Sequence, residues 1–278
     1  MEMVKTKLIV LLLCIGAFSG YAQSYVWSCE KVDGSKTGCV SMAKGDIDET
    51  LGRFMEDGSY YSPNGKHFGT TTATAKVAAI VNAAQPKMAK VKQVIAFSEE
   101  EMRTSMRESK ISNLYVNIVM GKVSQLYGKK VDVGICNFGG IRMNMPAGNV
   151  ILDDILSMFP FKNTLVCVEH KGSELKKIFE KMAAKRFEAV GGVEIVVENG
   201  KITKALIGGE PIDDNKIYSV ATISFLLYGG DSLTLAENAV NLINYDVQIV
   251  EAVLEYIEEL KAQGKNITAP TDKYVTIK

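Results

Sequence analysis

The chain has 278 residues, of which 47% are apolar and 23% charged, and its 32 basic and 32 acidic residues cancel. This is the composition of an ordinary globular protein, long enough for one large domain or two small ones. The neutral balance argues against a nucleic acid polymer as a partner, because neutralising phosphates requires a basic surface.

At the start of the chain, Lys5 and Lys7 precede an apolar run over residues 8–18, and Gly20-Tyr21-Ala22 places small residues where a signal peptidase needs them. This predicts a secretory signal peptide over residues 1–22, cleaved after Ala22. The run is too short to span a bilayer, and Leu13 before Cys14 does not fit a lipoprotein signal. The expected mature protein is exported, periplasmic or secreted, with no membrane span. Four cysteines follow the cleavage point. Cys29 and Cys39 flank a polar, glycine-bearing loop, and in an oxidising compartment they are expected to form a disulfide. Cys136 and Cys167 lie in apolar strand patterns and read as buried thiols.

Residues 23–70 read as a β and turn extension without an assigned role. Gly65-Lys66 lacks the Walker pattern, with Tyr60 and His67 at the flanking positions, and reads as a plain turn. Residues 71–278 read as one domain. A helix is predicted over 74–89, interrupted by Pro86, and then a strand over 91–97. Leu114, Ile118, Val119, Val123 and Leu126 recur at helical spacing over 113–127, with Ser112 as the expected N-cap. A β-branched run from Val131 ends at Asn137 and enters a turn at Gly139-Gly140, with Arg142 just beyond. A short helix over 153–158 stops at Pro160, a strand covers 164–170, and a helix covers 173–185. Asn199-Gly200 marks a hairpin over 192–208. A strand over 218–225 runs into Gly229-Gly230-Asp231, followed by a helix over 247–261 and a last strand over 273–277. Helices interspersed with hairpins imply an α+β fold, a mixed sheet layered with helices rather than a doubly wound parallel one.

The turn after Val131 is the most informative stretch. Its two glycines suit a positive φ or the close approach of a ligand, and an ordinary strand exit explains them as well. Arg142 offers a rigid fork of donors to an anion or a sugar hydroxyl. Four motifs occur in order: Asn137-Phe-Gly-Gly-Ile-Arg142, Pro146-Ala-Gly148, Pro160-Phe-Lys-Asn163, and Phe225-Leu-Leu-Tyr-Gly-Gly-Asp231. Together they resemble the C-terminal, nucleotide-binding domain of the 5'-nucleotidase and UDP-sugar hydrolase family, from roughly Val91 to the end of the chain.

The resemblance implies roles for these residues. Phe161 and Phe225 would sandwich a base, and stacking on an aromatic face contributes about 1–3 kcal/mol per base without reading its edge. Asn137 and Asn163 would hydrogen-bond the base edge, Gly140 would allow the close approach, and Asp231 would accept hydrogen bonds from ribose hydroxyls. Arg142 would lie near ribose and phosphate. The family's further arginines fall where this chain has Met102-Arg103-Thr-Ser-Met-Arg107, and a simple register puts Ser105 at the usual phosphate contact. Arg103, Arg107 and Lys162 are thus the candidate phosphate contacts.

Family members that hydrolyse nucleotides use a two-metal phosphoesterase domain, which spends several histidines and aspartates on metals about 3.5–4 Å apart. This sequence has two histidines, His67 and His170, and no Cys-x-x-Cys pair. A Ser/His/Asp alternative lacks a Gly-x-Ser-x-Gly elbow. No catalytic residue, metal site or cofactor is therefore expected in this chain. The resemblance implies a nucleotide- or nucleoside-binding domain of a 5'-nucleotidase-type hydrolase, with divalent metals in a separate metallophosphoesterase chain. The alternative is a non-catalytic periplasmic protein that captures nucleosides or nucleotides.

Overall fold

The computed structural model describes residues 52–278. The expected signal peptide, its cleavage point and the expected Cys29–Cys39 disulfide lie outside the described residues. The chain divides into two units, with the boundary between Ala84 and Gln85. In the first, strands β1 (Arg53–Phe54), β2 (Tyr60–Tyr61) and β3 (His67–Phe68) form an antiparallel meander. The ring of Tyr60 is buried between Phe54 and Phe68, at centroid distances of 5.2 and 6.1 Å. Helix α1 (Ala73–Met88) crosses the boundary and carries Pro86 inside its last turn. The expected interruption at Pro86 does not occur, because only the last residues follow the proline and few intrahelical bonds are forfeited there.

The second unit is built on a five-stranded mixed sheet. Its strands are β5 (Val133–Cys136), β7 (Thr164–Lys171), β8 (Ala189–Gly191), β12 (Ile217–Ile223) and β13 (Asn241–Gln248), in the order β13-β7-β12-β5-β8. The β5–β12 pair is parallel and the other pairs are antiparallel. β5 is buried along its whole length and β12 along all but its first residue, which is why they read as continuous apolar runs. A four-stranded sheet combines β9 (Val193–Glu198), β10 (Lys201–Ile207), β11 (Glu210–Pro211) and β14 (Val275–Ile277) in the order β11-β10-β9-β14. β4 (Val94–Ser98) pairs with β6 (Gly148–Ile151). Helices α2 (Lys110–Tyr127), α3 (Leu152–Met158), α4 (Gly172–Lys185) and α5 (Ile249–Ala262) complete the unit. The α+β class is thus the observed one.

Helix α2 starts three residues earlier than its apolar pattern suggests. Ser109, not Ser112, is the N-cap, and Ser112 returns the bond from the third helical position as a capping box. Val116, Val119 and Val123 are fully buried, and a Cβ at Gly134 would meet Val116 and Met120 at 2.6–2.8 Å, while one at Gly191 would meet Met120 at 2.7 Å and Val116 at 3.1 Å. Glycine on β5 and β8 is what lets the helix settle onto the sheet. The hairpin turn is as predicted: Asn199 and Gly200 have φ of 51° and 73°, the two positive values a type I′ turn needs. Strands β8, β6 and β13 have no counterpart in the sequence-based reading. Cys136 and Cys167 are free and buried, and burial pushes their thiols up to about 12 and about 11. His170 is fully buried with Nε2 3.0 Å from the Leu235 carbonyl, and burial lowers its pKa. Among the described residues, no helix is long and apolar enough to cross a membrane.

Candidate functional site

Strand register brings three of the four sequence motifs to one end of the large sheet, while Pro146-Ala-Gly148 leads into β6 of the β4–β6 pair. Val133 pairs with Val220 in parallel, so the residues leaving β5 and β12 emerge side by side. Leu165 pairs with Ile223, so β7 begins where β12 ends, and the Thr164 amide donates to Ser224 Oγ at 3.0 Å. Cys136 pairs with Ala189, so the residues just before β8 face those just after β5. Residues 137–142, 161–163, 186–188 and 225–231 therefore converge.

Asn137 leaves β5 in an extended conformation and is followed by a single 3-10 turn, Phe138–Gly140. Gly139 and Gly140 do not take the positive φ that was one reading of this motif. Close approach is the reason for glycine at position 140, where a Cβ would stand 2.7 Å from Asn137 Oδ1. The Asn137 side chain is buried, at 4% exposure. Its Nδ2 donates to Asp231 Oδ2 at 2.7 Å, and its Oδ1 has no partner. The reversed amide would turn oxygen toward carboxylate, so the pairing with Asp231 fixes which atom is left over. A buried acceptor without a donor costs about 1–3 kcal/mol.

Asp231 and Ser232 both have left-handed backbone, with φ of 46° and 66°. Non-glycine residues rarely adopt it, at a cost on the order of 1–3 kcal/mol each. The turn is held by Gly229 N to Leu233 O at 2.8 Å, Ser232 N to Gly229 O at 3.1 Å and Leu233 N to Gly230 O at 2.8 Å. Asp231 Oδ1 lies 3.8 Å from Arg186 Nη2. Arg186 donates through Nε, at 2.9 Å, and through Nη2 to Glu188 Oε1. Glu188 is only 3% exposed, and its Oε2 accepts from the Phe138 amide at 2.9 Å. Arg186 and Glu188 escaped the sequence-based reading. The available signal was an acid between Phe187 and Ala189-Val190, a charge inside an apolar run.

Phe161 and Phe225 are 45% and 44% exposed, unusual for phenylalanines beside a fully buried core. Each ring is backed on one side. The Arg142 guanidinium lies 5.8 Å from the Phe161 centroid, and the Gly230 backbone lies so close to Phe225 that a Cβ there would meet its ring at 2.7 Å. Arg142 also donates to the Gly139 carbonyl at 3.3 Å. Asn163 contributes its carbonyl to the Ile249 amide at 3.1 Å, and Lys162 is exposed.

The segment with Arg103 and Arg107 is tied to the loop beyond Arg142. Met102 and Met145 exchange two backbone bonds of 3.0 Å, and the Thr104 amide donates to Asn144 Oδ1 at 2.8 Å. The Arg103 guanidinium pairs with Glu101 at 3.0 Å, while Arg107, exposed, donates its backbone amide to Ser105 Oγ at 3.1 Å. Among the described residues, no group of three or more His, Cys, Asp or Glu side chains is placed to hold a metal ion.

A mixed sheet that ends in half-exposed aromatic rings beside the Asn137–Asp231 pair defines the class: an α+β domain with an aromatic and polar rim at the strand ends. The chain belongs to the 5'-nucleotidase, C-terminal domain family, whose model matches residues 87–238. Protein UshA of Yersinia enterocolitica is 30% identical over 141 residues, covering 49% of this chain and 26% of its own length. The apyrase of Tabanus yao is 28% identical over 179 residues, covering 55% of this chain and 32% of its own length. The chain thus spans about a quarter to a third of the curated relatives it matches. Among solved structures, the 5'-nucleotidase precursor of Thermus thermophilus superposes with a TM-score of 0.64 at 23% identity, over 78% of this chain and 48% of its own. The NAD nucleotidase of Haemophilus influenzae does so with a TM-score of 0.54 at 19% identity, over 79% and 47%.

Proposed function

We propose that this domain binds a nucleoside or nucleotide at the rim of the large sheet, as the substrate-holding part of a 5'-nucleotidase-type hydrolase. The observation that carries the reading is the pair of backed, half-exposed rings, Phe161 and Phe225, at the same strand ends as the buried Asn137 and its bonded partner Asp231. A base stacks between the rings, and the side chains of Asn137 and Asn163 hydrogen-bond its edge. Asp231 accepts the ribose hydroxyls. Arg142, beside Phe161, supplies charge toward a 5'-phosphate, with Arg103, Arg107 and Lys162 as outer contacts. Hydrolysis falls to a separate metallophosphoesterase chain that carries the divalent metals, and the pair works outside the cytoplasm. The UshA, apyrase and nucleotidase names of the relatives support the substrate class.

Calorimetric titration of the purified protein with adenosine, inosine and adenine tests this. Phe161→Ala and Phe225→Ala should each weaken binding about ten- to a hundred-fold, alike for both nucleosides, because stacking does not read the base edge. Asn137→Ala should change the ranking of the bases. Folded Phe161→Ala and Phe225→Ala proteins that bind like the parent would refute the clamp.

A further inference from the structure

The Arg186–Glu188 pair lies beside this rim, and its geometry is that of a support for Asp231. Glu188 and Arg186 stand two residues apart in extended chain, so both side chains leave on the same side. The β5–β8 register carries that side toward Asn137 and Phe138. Glu188 is buried, and burying a carboxylate is costly without charged and hydrogen-bonding partners. It has both, in the Arg186 guanidinium and the Phe138 amide. The guanidinium is thereby fixed by two donors on one carboxylate oxygen, and its Nη2 still faces Asp231 Oδ1 at 3.8 Å. Asp231 is thus gripped from two directions: Asn137 takes one oxygen by a hydrogen bond and Arg186 approaches the other with charge. A carboxylate that must meet two ribose hydroxyls has to keep its plane, and it sits on a backbone of unfavourable φ with no cap of its own.

We propose that Arg186 is a positioning residue for riboside recognition, holding the Asp231 carboxylate oriented for vicinal ribose hydroxyls, with Glu188 as its anchor. The inference rests on the reading of Asp231 given above. Its specific content is that sugar recognition depends on a residue that acts through the carboxylate, while base recognition does not.

The test uses the full-length protein and calorimetry with adenosine and adenine. Arg186→Gln should weaken adenosine about tenfold, the loss of one charge-assisted contact, and leave adenine unchanged. Arg186→Lys should restore adenosine to within about threefold of the parent, since a point charge replaces the fork in part. In an Asp231→Asn background, Arg186→Gln should have no further effect. Because Arg186→Gln strands the Glu188 charge, the Arg186→Gln/Glu188→Gln double variant is measured beside it. It should fold as the parent does and still lose the preference for adenosine. Equal losses for adenosine and adenine, no loss for either, or an undiminished effect in the Asp231→Asn background overturn the role of Arg186. A parent that binds neither compound overturns the site itself, which is a different outcome.

Discussion

Gly230 shows how narrowly the rim is built at the level of single atoms. Its φ is ordinary, so backbone freedom is not the reason for glycine there. A Cβ at position 230 would stand 2.2 Å from the Phe225 carbonyl oxygen and 2.7–2.8 Å from two ring carbons. Neither the backbone oxygen nor a ring resting on it can yield cheaply. Gly230→Ala should therefore push the Phe225 ring outward and cost about 1–3 kcal/mol of stability, the usual range for overpacking. Chemical denaturation gives the stability, and titration with adenosine should show a loss comparable to that of Phe225→Ala. An unchanged affinity would mean that the orientation of the ring is set elsewhere.

Among the elements, α2 is the one whose placement matters most, because it lies on the strands that deliver Asn137 and Glu188. Its start is fixed by the reciprocal bonds of Ser109 and Ser112. Ser109→Ala should cost about 1 kcal/mol, as loss of an N-cap does, and Ser112→Ala should be coupled to it, since both belong to one box. Thermal unfolding of the two single variants and the double would read this, and strict additivity would count against the box. The helix itself was legible in its apolar spacing, and its first turn was not, because a serine pair four residues long offers two equivalent caps on paper. The same division holds elsewhere. The Asn199-Gly200 turn and the Asn137, Phe161 and Phe225 motifs are local chemistry, visible in a few consecutive residues. β8, β6 and β13 are short or mixed in polarity, and they exist because a neighbour supplies the other half of the ladder. Arg186 and Glu188 were hidden for the same reason: their partners, Phe138 and Asp231, lie about fifty residues away in either direction.

At the scale of the whole molecule, the large sheet has no local way to open at its centre. β5, β7 and β12 are buried strands bonded to one another, and Cys136 and Cys167 sit on β5 and β7 at 0% and 1% exposure. Their thiols are also pushed up to about 12 and about 11 by burial, so little thiolate is present at neutral pH. Alkylation of these two cysteines in the native protein should proceed only through global unfolding, at the same rate for both. Peptide-resolved mass spectrometry after timed labelling would measure the two rates, and added adenosine should slow them together if the rim binds it. Faster labelling of one cysteine would reveal a partial opening of its strand.

The Asn199-Gly200 turn has a consequence on a much longer timescale. An asparagine followed by glycine is prone to cyclise, the next backbone nitrogen attacking the side-chain amide with loss of ammonia, and the ring reopens as aspartate or isoaspartate. In this turn both residues are committed to left-handed φ, and the two strands on either side are joined by nothing longer. Isoaspartate would insert an extra methylene into a two-residue connection and shift the β9–β10 register at its closed end. Ageing of the protein at this turn would thus appear as a covalent defect at an exposed corner of the β9–β10 hairpin.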